Sequence, residues 1–249
     1  MIVYKNIDEI EQMERAGKIL SKVLASALKK LKPGLTTSYI DQEIEKEIIL
    51  LGGEPGFKKV KGYHWASCIC INEQVVHTPP SNRIIKKSDV VTIDTGVFLN
   101  GFHTDSAWTI QVEVKNPEIT RFLETGQRAL KEALNVAKKG NYIGNISKTF
   151  QDVIEGAHYS IVRELTGHGV GKDLHEDPYI PCYIDRPIEK TLEIQDGMTL
   201  ALEVMYSMGG REIIYERPGW SIEIADGSIS ASFEHTIAIK QGKTLVLTK

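Results

Sequence analysis

The stretch VVTIDTGVFLNGFHTDSAW, residues 90–108, decides how this chain is read. An apolar run from Val90 to Ile93 ends in Asp94 and then a Thr95-Gly96 turn. A second strand-like run starts at Phe102, carries Asp105 and reaches about Val112. Between them stands Asn100-Gly101, a dipeptide suited to a tight hairpin because both residues tolerate positive φ. A hairpin here would make the two strands antiparallel neighbours and bring both carboxylates to one face. Two like charges so placed repel and push a pKa upward, whereas a bound cation keeps both ionised. Taken singly, each aspartate reads more readily as a turn or surface residue, since Asp is common in turns.

Working outward, the residues before the hairpin are helical. Ile7, Ile10, Met13, Leu20, Leu24, Ala27 and Leu31 keep near-helical spacing until Pro33-Gly34 stops it. A second helix is expected from about Ser38 to Leu51, ended by Gly52-Gly53, and a strand from Ala66 to Asn72. After the hairpin the pattern restarts. Asn116-Pro117 is a cap followed by a proline at the first helical position. The spacing predicts one helix to about Lys139 and another from about Asn145 to Glu164. Strands are then expected at Thr199 to Tyr206, Arg211 to Tyr215, Trp220 to Ala225 and Ser232 to Lys240. Two helices followed by strands, twice over, with no linker between, predicts an α+β chain of two related lobes in a single domain, residues 1–249.

Three further residues share the chemistry of the two aspartates. His168 lies in Thr166-Gly167-His168-Gly169-Val170-Gly171, where glycines let backbone approach closely and leave the imidazole unobstructed. Glu203 interrupts the apolar run Met198 to Met205, and Glu234 has the same character in Phe233-Glu234-His235-Thr236. A carboxylate on a strand face among apolar residues is costly unless it is paired. His235 points to the opposite face from Glu234, because strand neighbours diverge, and is read as structural. Four carboxylates and one imidazole form an oxygen-rich ligand set. Two divalent cations would cancel its charge and would make a hydrolytic nucleophile out of water. The glycine run by itself is weak evidence for a phosphate site, because no Walker lysine accompanies it.

Bulk properties narrow the class. The chain has 249 residues, 25% charged, with a net charge of −3, so no basic field points to nucleic acid. No apolar run approaches the ~18 residues of a membrane span. The charged start MIVYKNIDEIEQMERAGKIL lacks the apolar core of a cleaved signal. Cys68, Cys70 and Cys182 form no C-x-x-C pair and read as reduced, buried thiols in a cytoplasmic protein.

With Asn72-Glu73 followed by His77, Asp94-Thr95-Gly96, Asp105, Gly167-His168-Gly169-Val170-Gly171, His175-Glu176-Asp177-Pro178, Glu203 and Phe233-Glu234-His235-Thr236, the chain resembles the bacterial type I methionine aminopeptidases over essentially its whole length. The resemblance implies a pita-bread fold, two pseudo-symmetric helix-helix-strand lobes around a central antiparallel sheet. It implies removal of the N-terminal methionine from new proteins, with a small second residue preferred. It implies two divalent metal ions, of Co, Mn, Fe or Zn, with Asp105 and Glu234 bridging. Asp94 would hold one ion, and His168 with Glu203 the other. Glu203 would also shuttle a proton. His77 and His175, which in isolation read as loop histidines, would contact substrate: His175 at the oxyanion, His77 at the scissile amide or the next residue. Tyr63, Cys68 and Trp220, the last presented after Pro218-Gly219, would form the methionine pocket. The family leads one to expect a cytoplasmic monomer acting on N-terminal Met peptides and nascent chains, with a transient ribosome contact and no membrane or nucleic-acid partner.

Departures from the family pattern fall around the pocket. Thr78-Pro79-Pro80 follows His77 where Gly-x-Pro is usual, a stiffer loop. Val60, Lys61 and Leu174 also differ from the usual residues. Two other readings share the constellation. The prolidases and X-Pro aminopeptidases use the same five ligands but typically add an N-terminal domain, whereas this sequence opens directly into its helices. Type II methionine enzymes insert a helical segment where only 34 residues separate His168 from Glu203 here. A non-catalytic peptide-binding relative would be expected to have lost ligands.

Overall fold

The computed structural model describes residues 1–216 and 219–249; Arg217 and Pro218, and with them the expected presentation of Trp220 by Pro218, lie outside the described residues. Asn6 and Glu9 form a reciprocal capping box that starts α1 (Ile7–Lys30), and its apolar stripe, Ile10, Met13, Leu20, Val23, Leu24 and Ala27, is buried. Thr36 caps α2 (Thr37–Leu50) by accepting the Tyr39 N–H. There follow β1 (Glu54–Pro55), β2 (Ser67–Ile71), β3 (Gln74–Val76), β4 (Val90–Leu99) and β5 (Phe102–Gln111). The second half gives α3 (Pro117–Val136), capped by Asn116, and α4 (Ile143–Gly156). It continues through β6 (Ser160–Ile161), β7 (Thr166–Gly169), β8 (Glu176–Pro181), β9 (Thr199–Ser207), β10 (Ile213–Tyr215), β11 (Ile222–Ile224), β12 (Ser230–Lys240) and β13 (Lys243–Val246).

The α+β architecture and its two-lobed repeat match expectation. In each half the first helix packs on an antiparallel pair of long strands, α1 on β4 and β5 and α3 on β9 and β12, and the second helix packs beside the first. The first core joins Leu20, Val23, Ile40, Ile44, Ile69, Val91 and Ile93; the second joins Phe122, Leu130, Phe150, Leu202, Val204 and Phe233. Each such side chain contributes roughly 1.5–3 kcal/mol by leaving water. In the second half α3 lies so close to the strands that a Cβ on Gly126 would stand 2.5 Å from the Phe233 ring.

The central layer is two antiparallel sheets, joined at β5 and β12 by side-chain hydroxyls. Thr236 Oγ1 accepts the Asp105 N–H at 2.9 Å and donates to the Asp105 carbonyl at 2.8 Å. Ser106 Oγ donates to the Glu234 carbonyl at 2.8 Å. Thr109 Oγ1 donates to the Ser232 carbonyl at 2.7 Å and accepts the Ser232 N–H at 3.0 Å. Hydroxyls thus satisfy backbone groups that a direct ladder would otherwise pair.

Some boundaries differ from the sequence reading. The first strand of the hairpin runs through Thr95-Gly96 to Leu99, because Gly96 still pairs with Asp105 and the Phe57 ring packs where its Cβ would be. Asn100 and Gly101 take positive φ, 50° and 90°, at the hairpin turn. Helix α3 stops at Val136 rather than Lys139. Helix α4 ends at Gly156 rather than Glu164, since His158 turns left-handed (φ 65°) and Ser160–Ile161 then pairs with β9.

A candidate metal centre at the junction of the two sheets

Register places the ligand candidates. Asp94 lies opposite Ala107, and Asp105 opposite Gly96, so the two carboxylates sit diagonally on one face of the β4–β5 pair. Glu203 and Glu234 lie directly opposite one another on β9 and β12. His168 on β7 lies opposite Ala201, diagonal to Glu203. The glycines beside His168 are required by packing: a Cβ on Gly167 would stand 2.6 Å from the Ala201 carbonyl oxygen, and one on Gly169 would stand 2.7 Å from the Asp177 carbonyl carbon. The β5–β12 hydroxyl seam then brings Asp105 and Glu234 to one point. Asp105, His168 and Glu234 each offer a ligand atom within 4.8 Å of the others. His168 Nε2 is 3.6 Å from Glu203 Oε1 and 4.0 Å from Asp105 Oδ2.

The electrostatics of this cluster favour either bound protons or a bound cation. Burial pushes Asp94 up to about 7. Asp105, Glu203 and Glu234 are raised well above the usual carboxylate range, first by burial and then by neighbouring carboxylates, Asp94 acting on all three. Asp94 Oδ1, Asp105 Oδ1 and Glu234 Oε1 are buried and have no hydrogen-bond partner among the described residues. Unpartnered buried carboxylate oxygens around one imidazole are the donor set that hard or borderline divalent ions prefer. Burial holds His168 down to about 3, so the ring is neutral. Its Nδ1 lies 2.8 Å from the Gly169 carbonyl, which can only accept, so Nδ1 carries the proton and the Nε2 lone pair faces the carboxylates. The residues present fit a divalent metal centre.

The same cavity gathers the other expected residues. About 620 Å³ of empty space, counted out to its mouth, is lined by the five ligand candidates with His77, His175, Tyr63, Cys68 and Trp220. Tyr63 O–H donates to the Ser67 carbonyl at 2.8 Å and lies 3.1 Å from Cys68 Sγ. Its ring meets Trp220 edge to face, with centroids 5.4 Å apart. The His175 ring stands 4.4 Å from the His168 ring. His77 directly follows β3 in a left-handed conformation (φ 61°), uncommon for a residue with a Cβ and frequent at functional sites. Burial lowers His77 to about 4 and also lowers His175, so both are neutral donors near pH 7.

Phe57, Val60, Val76 and Leu174 also line the cavity; Val60 and Leu174 were expected only as departures around the pocket, and Phe57 and Val76 were missed as wall residues. Phe57 and Leu174 lie in a short 3₁₀ turn and a loop, where no periodicity marks an inward-facing side chain. His235 faces away from the cavity, its Nδ1 2.9 Å from Thr248 Oγ1. Cys70 and Cys182 are buried thiols outside the cavity.

Comparison with known proteins agrees with this geometry. Residues 11–241 match the model of metallopeptidase family M24. The chain is 39% identical to methionine aminopeptidase 1 of Bacillus subtilis over 249 residues, 100% of each chain. The crystal structure of methionine aminopeptidase from Thermotoga maritima superposes with a TM-score of 0.96 at 34% identity, covering 100% of both chains. Prolidase from Pyrococcus furiosus gives a TM-score of 0.79 at 23% identity, covering 99% of this chain and 65% of that one, a likeness of fold alone.

Proposed function

The chain belongs to metallopeptidase family M24, and from that premise we propose that it removes the N-terminal methionine from peptides and newly made proteins whose second residue is small. One observation carries the reading. A buried cluster of four carboxylates and a neutral imidazole forms the floor of a cavity whose wall is apolar. The floor suits a cation and a free α-amine; the wall, Tyr63, Cys68, Phe57, Leu174 and Trp220, suits an unbranched thioether.

Bound divalent cations supply Lewis acidity and lower the pKa of water there. In the proposed assignment Asp94, Asp105, His168, Glu203 and Glu234 would together hold two such ions. Glu203 accepts the proton of the attacking water and passes it to the leaving amine. Neutral His175 donates to the oxygen on which negative charge develops. His77, fixed by its backbone conformation, hydrogen-bonds the scissile amide or the residue after it. The acidic floor favours a free terminal amine over an internal amide, which makes the reaction exopeptidic. Because each half of the chain supplies two carboxylates, residues 1–249 act as one catalytic unit in this reading.

Among the described residues no helix is long and apolar enough to cross a membrane. We place the enzyme in the cytoplasm, as a monomer that meets nascent chains at the ribosome. The metal is Mn, Fe, Co or Zn, with availability deciding among them.

The test is hydrolysis of Met-Ala-Ser beside an X-Pro peptide, using chelator-treated protein with each of these metals restored. Metal-dependent release of free methionine with the X-Pro peptide intact is expected. Cleavage of the X-Pro peptide would move the assignment to the prolidase branch, and absence of turnover with every metal would leave a peptide-binding module.

A further inference from the structure

We propose that Lys5, outside the family-matched residues 11–241, is a positioning residue for His175. The Lys5 and Glu176 side chains are 2% and 7% exposed, and the Lys5 ammonium pairs with Glu176 Oε2. Such a pair gives up two hydration shells, so it is a poor source of stability compared with apolar packing. What it holds is more informative. Glu176 directly follows His175 and opens β8, where it lies opposite Gly169, the residue after His168. Its second oxygen, Oε1, accepts the Asp173 N–H at 3.3 Å. One carboxylate therefore ties the start of the His175 loop to its end, and Lys5 fixes that carboxylate.

Lys5 is itself anchored. Its N–H donates to the Gly197 carbonyl at 2.7 Å, and its ammonium also donates to the Val3 carbonyl at 3.2 Å. The fit around the pair is tight: a Cβ on Gly171 would stand 2.5 Å from Lys5 Nζ and 2.6 Å from Glu176 Oε1. From the other side, the His103 N–H donates to the Gly171 carbonyl at 2.7 Å. The His175 ring packs on the His168 ring at 4.4 Å, so its reach into the cavity follows the backbone that Glu176 holds. Lys5 acts through Glu176 and touches no substrate.

The inference rests on the oxyanion role given to His175 above, and its test separates the two. Steady-state kinetics of the metal-loaded full chain on Met-Ala-Ser would compare Lys5→Met, Lys5→Arg, His175→Ala and Lys5→Met/His175→Ala. Lys5→Met is expected to lower kcat on the order of 10- to 100-fold with KM and metal content unchanged, the scale of a small misplacement. Lys5→Arg recovers most of that loss, and Lys5→Met costs less than about twofold more once His175 is gone. Independently of turnover, Lys5→Met in metal-free protein is expected to speed amide exchange at Gly171 and Asp173 about tenfold or more. Unchanged kcat or exchange in Lys5→Met, or an equal loss in both backgrounds, overturns the role of Lys5 while leaving that of His175. A normal kcat in His175→Ala overturns the oxyanion role and this inference with it. Should Lys5→Met not fold, Glu176→Gln takes its place in the same cycle with the same readings.

Discussion

At the scale of single residues, the site divides into groups that hold charge and groups that donate to it. His175 stands beside His168 and, in the proposed assignment, belongs to the second class, since burial lowers its pKa and favours the neutral ring. His175→Ala is expected to lower kcat by on the order of 10²–10³, as loss of an oxyanion donor does. Metal content, measured by plasma mass spectrometry, should not change; loss of metal would make His175 a ligand. The ligand candidates were legible in the sequence because a carboxylate inside an apolar strand has few structural excuses. Alternation along β12 likewise separated Glu234 from His235. The wall was less legible: Tyr63, Cys68 and Trp220 came from family resemblance, and Phe57 and Leu174 sit where the backbone has no repeating face.

At the scale of elements, the seam between β5 and β12 decides whether the two pairs of carboxylates meet. Thr236 makes two hydrogen bonds to the Asp105 backbone, one as acceptor and one as donor. Thr236→Val leaves that buried N–H and carbonyl without their partner, at a cost of about 1–3 kcal/mol. Urea denaturation should show the lower midpoint, and gel filtration should show weaker metal retention. An unchanged midpoint would mean that apolar packing alone holds the seam. The long helices and the Asn100-Gly101 hairpin were readable from caps, periodicity and turn chemistry. Strands β3, β7, β8 and β13 were not, because they are six residues or shorter and two of them carry the glycines and turns that usually signal loops.

At the scale of the whole molecule, protons and metal compete for one buried cluster. Asp94 is raised to about 7 and its carboxylate neighbours are raised as well, so the metal-free fold keeps protons that the unfolded chain releases. A raised pKa means stability lost as pH climbs through the folded value. The histidines act oppositely. His168 is held near 3, and His77, His103 and His235 near 4, so they withdraw stability as pH falls from 6.5 toward those values. Below 6.5 the two effects oppose each other; above it the carboxylates act alone. Metal-free protein should therefore melt at a lower temperature at about pH 8 than at about pH 6.5, and added Mn(II) should raise Tm more at the higher pH. Scanning calorimetry with and without chelator would check this, and a flat metal-free profile above pH 6.5 would contradict it. The division of ligands between the halves also bears on how the protein is made and lost. A chain that stops anywhere between Asp105 and Glu234 lacks Glu234 and has no β5–β12 seam on which to align the remaining ligand candidates. Unfinished copies are thus expected to be silent, neither trimming other proteins nor holding metal away from intact ones.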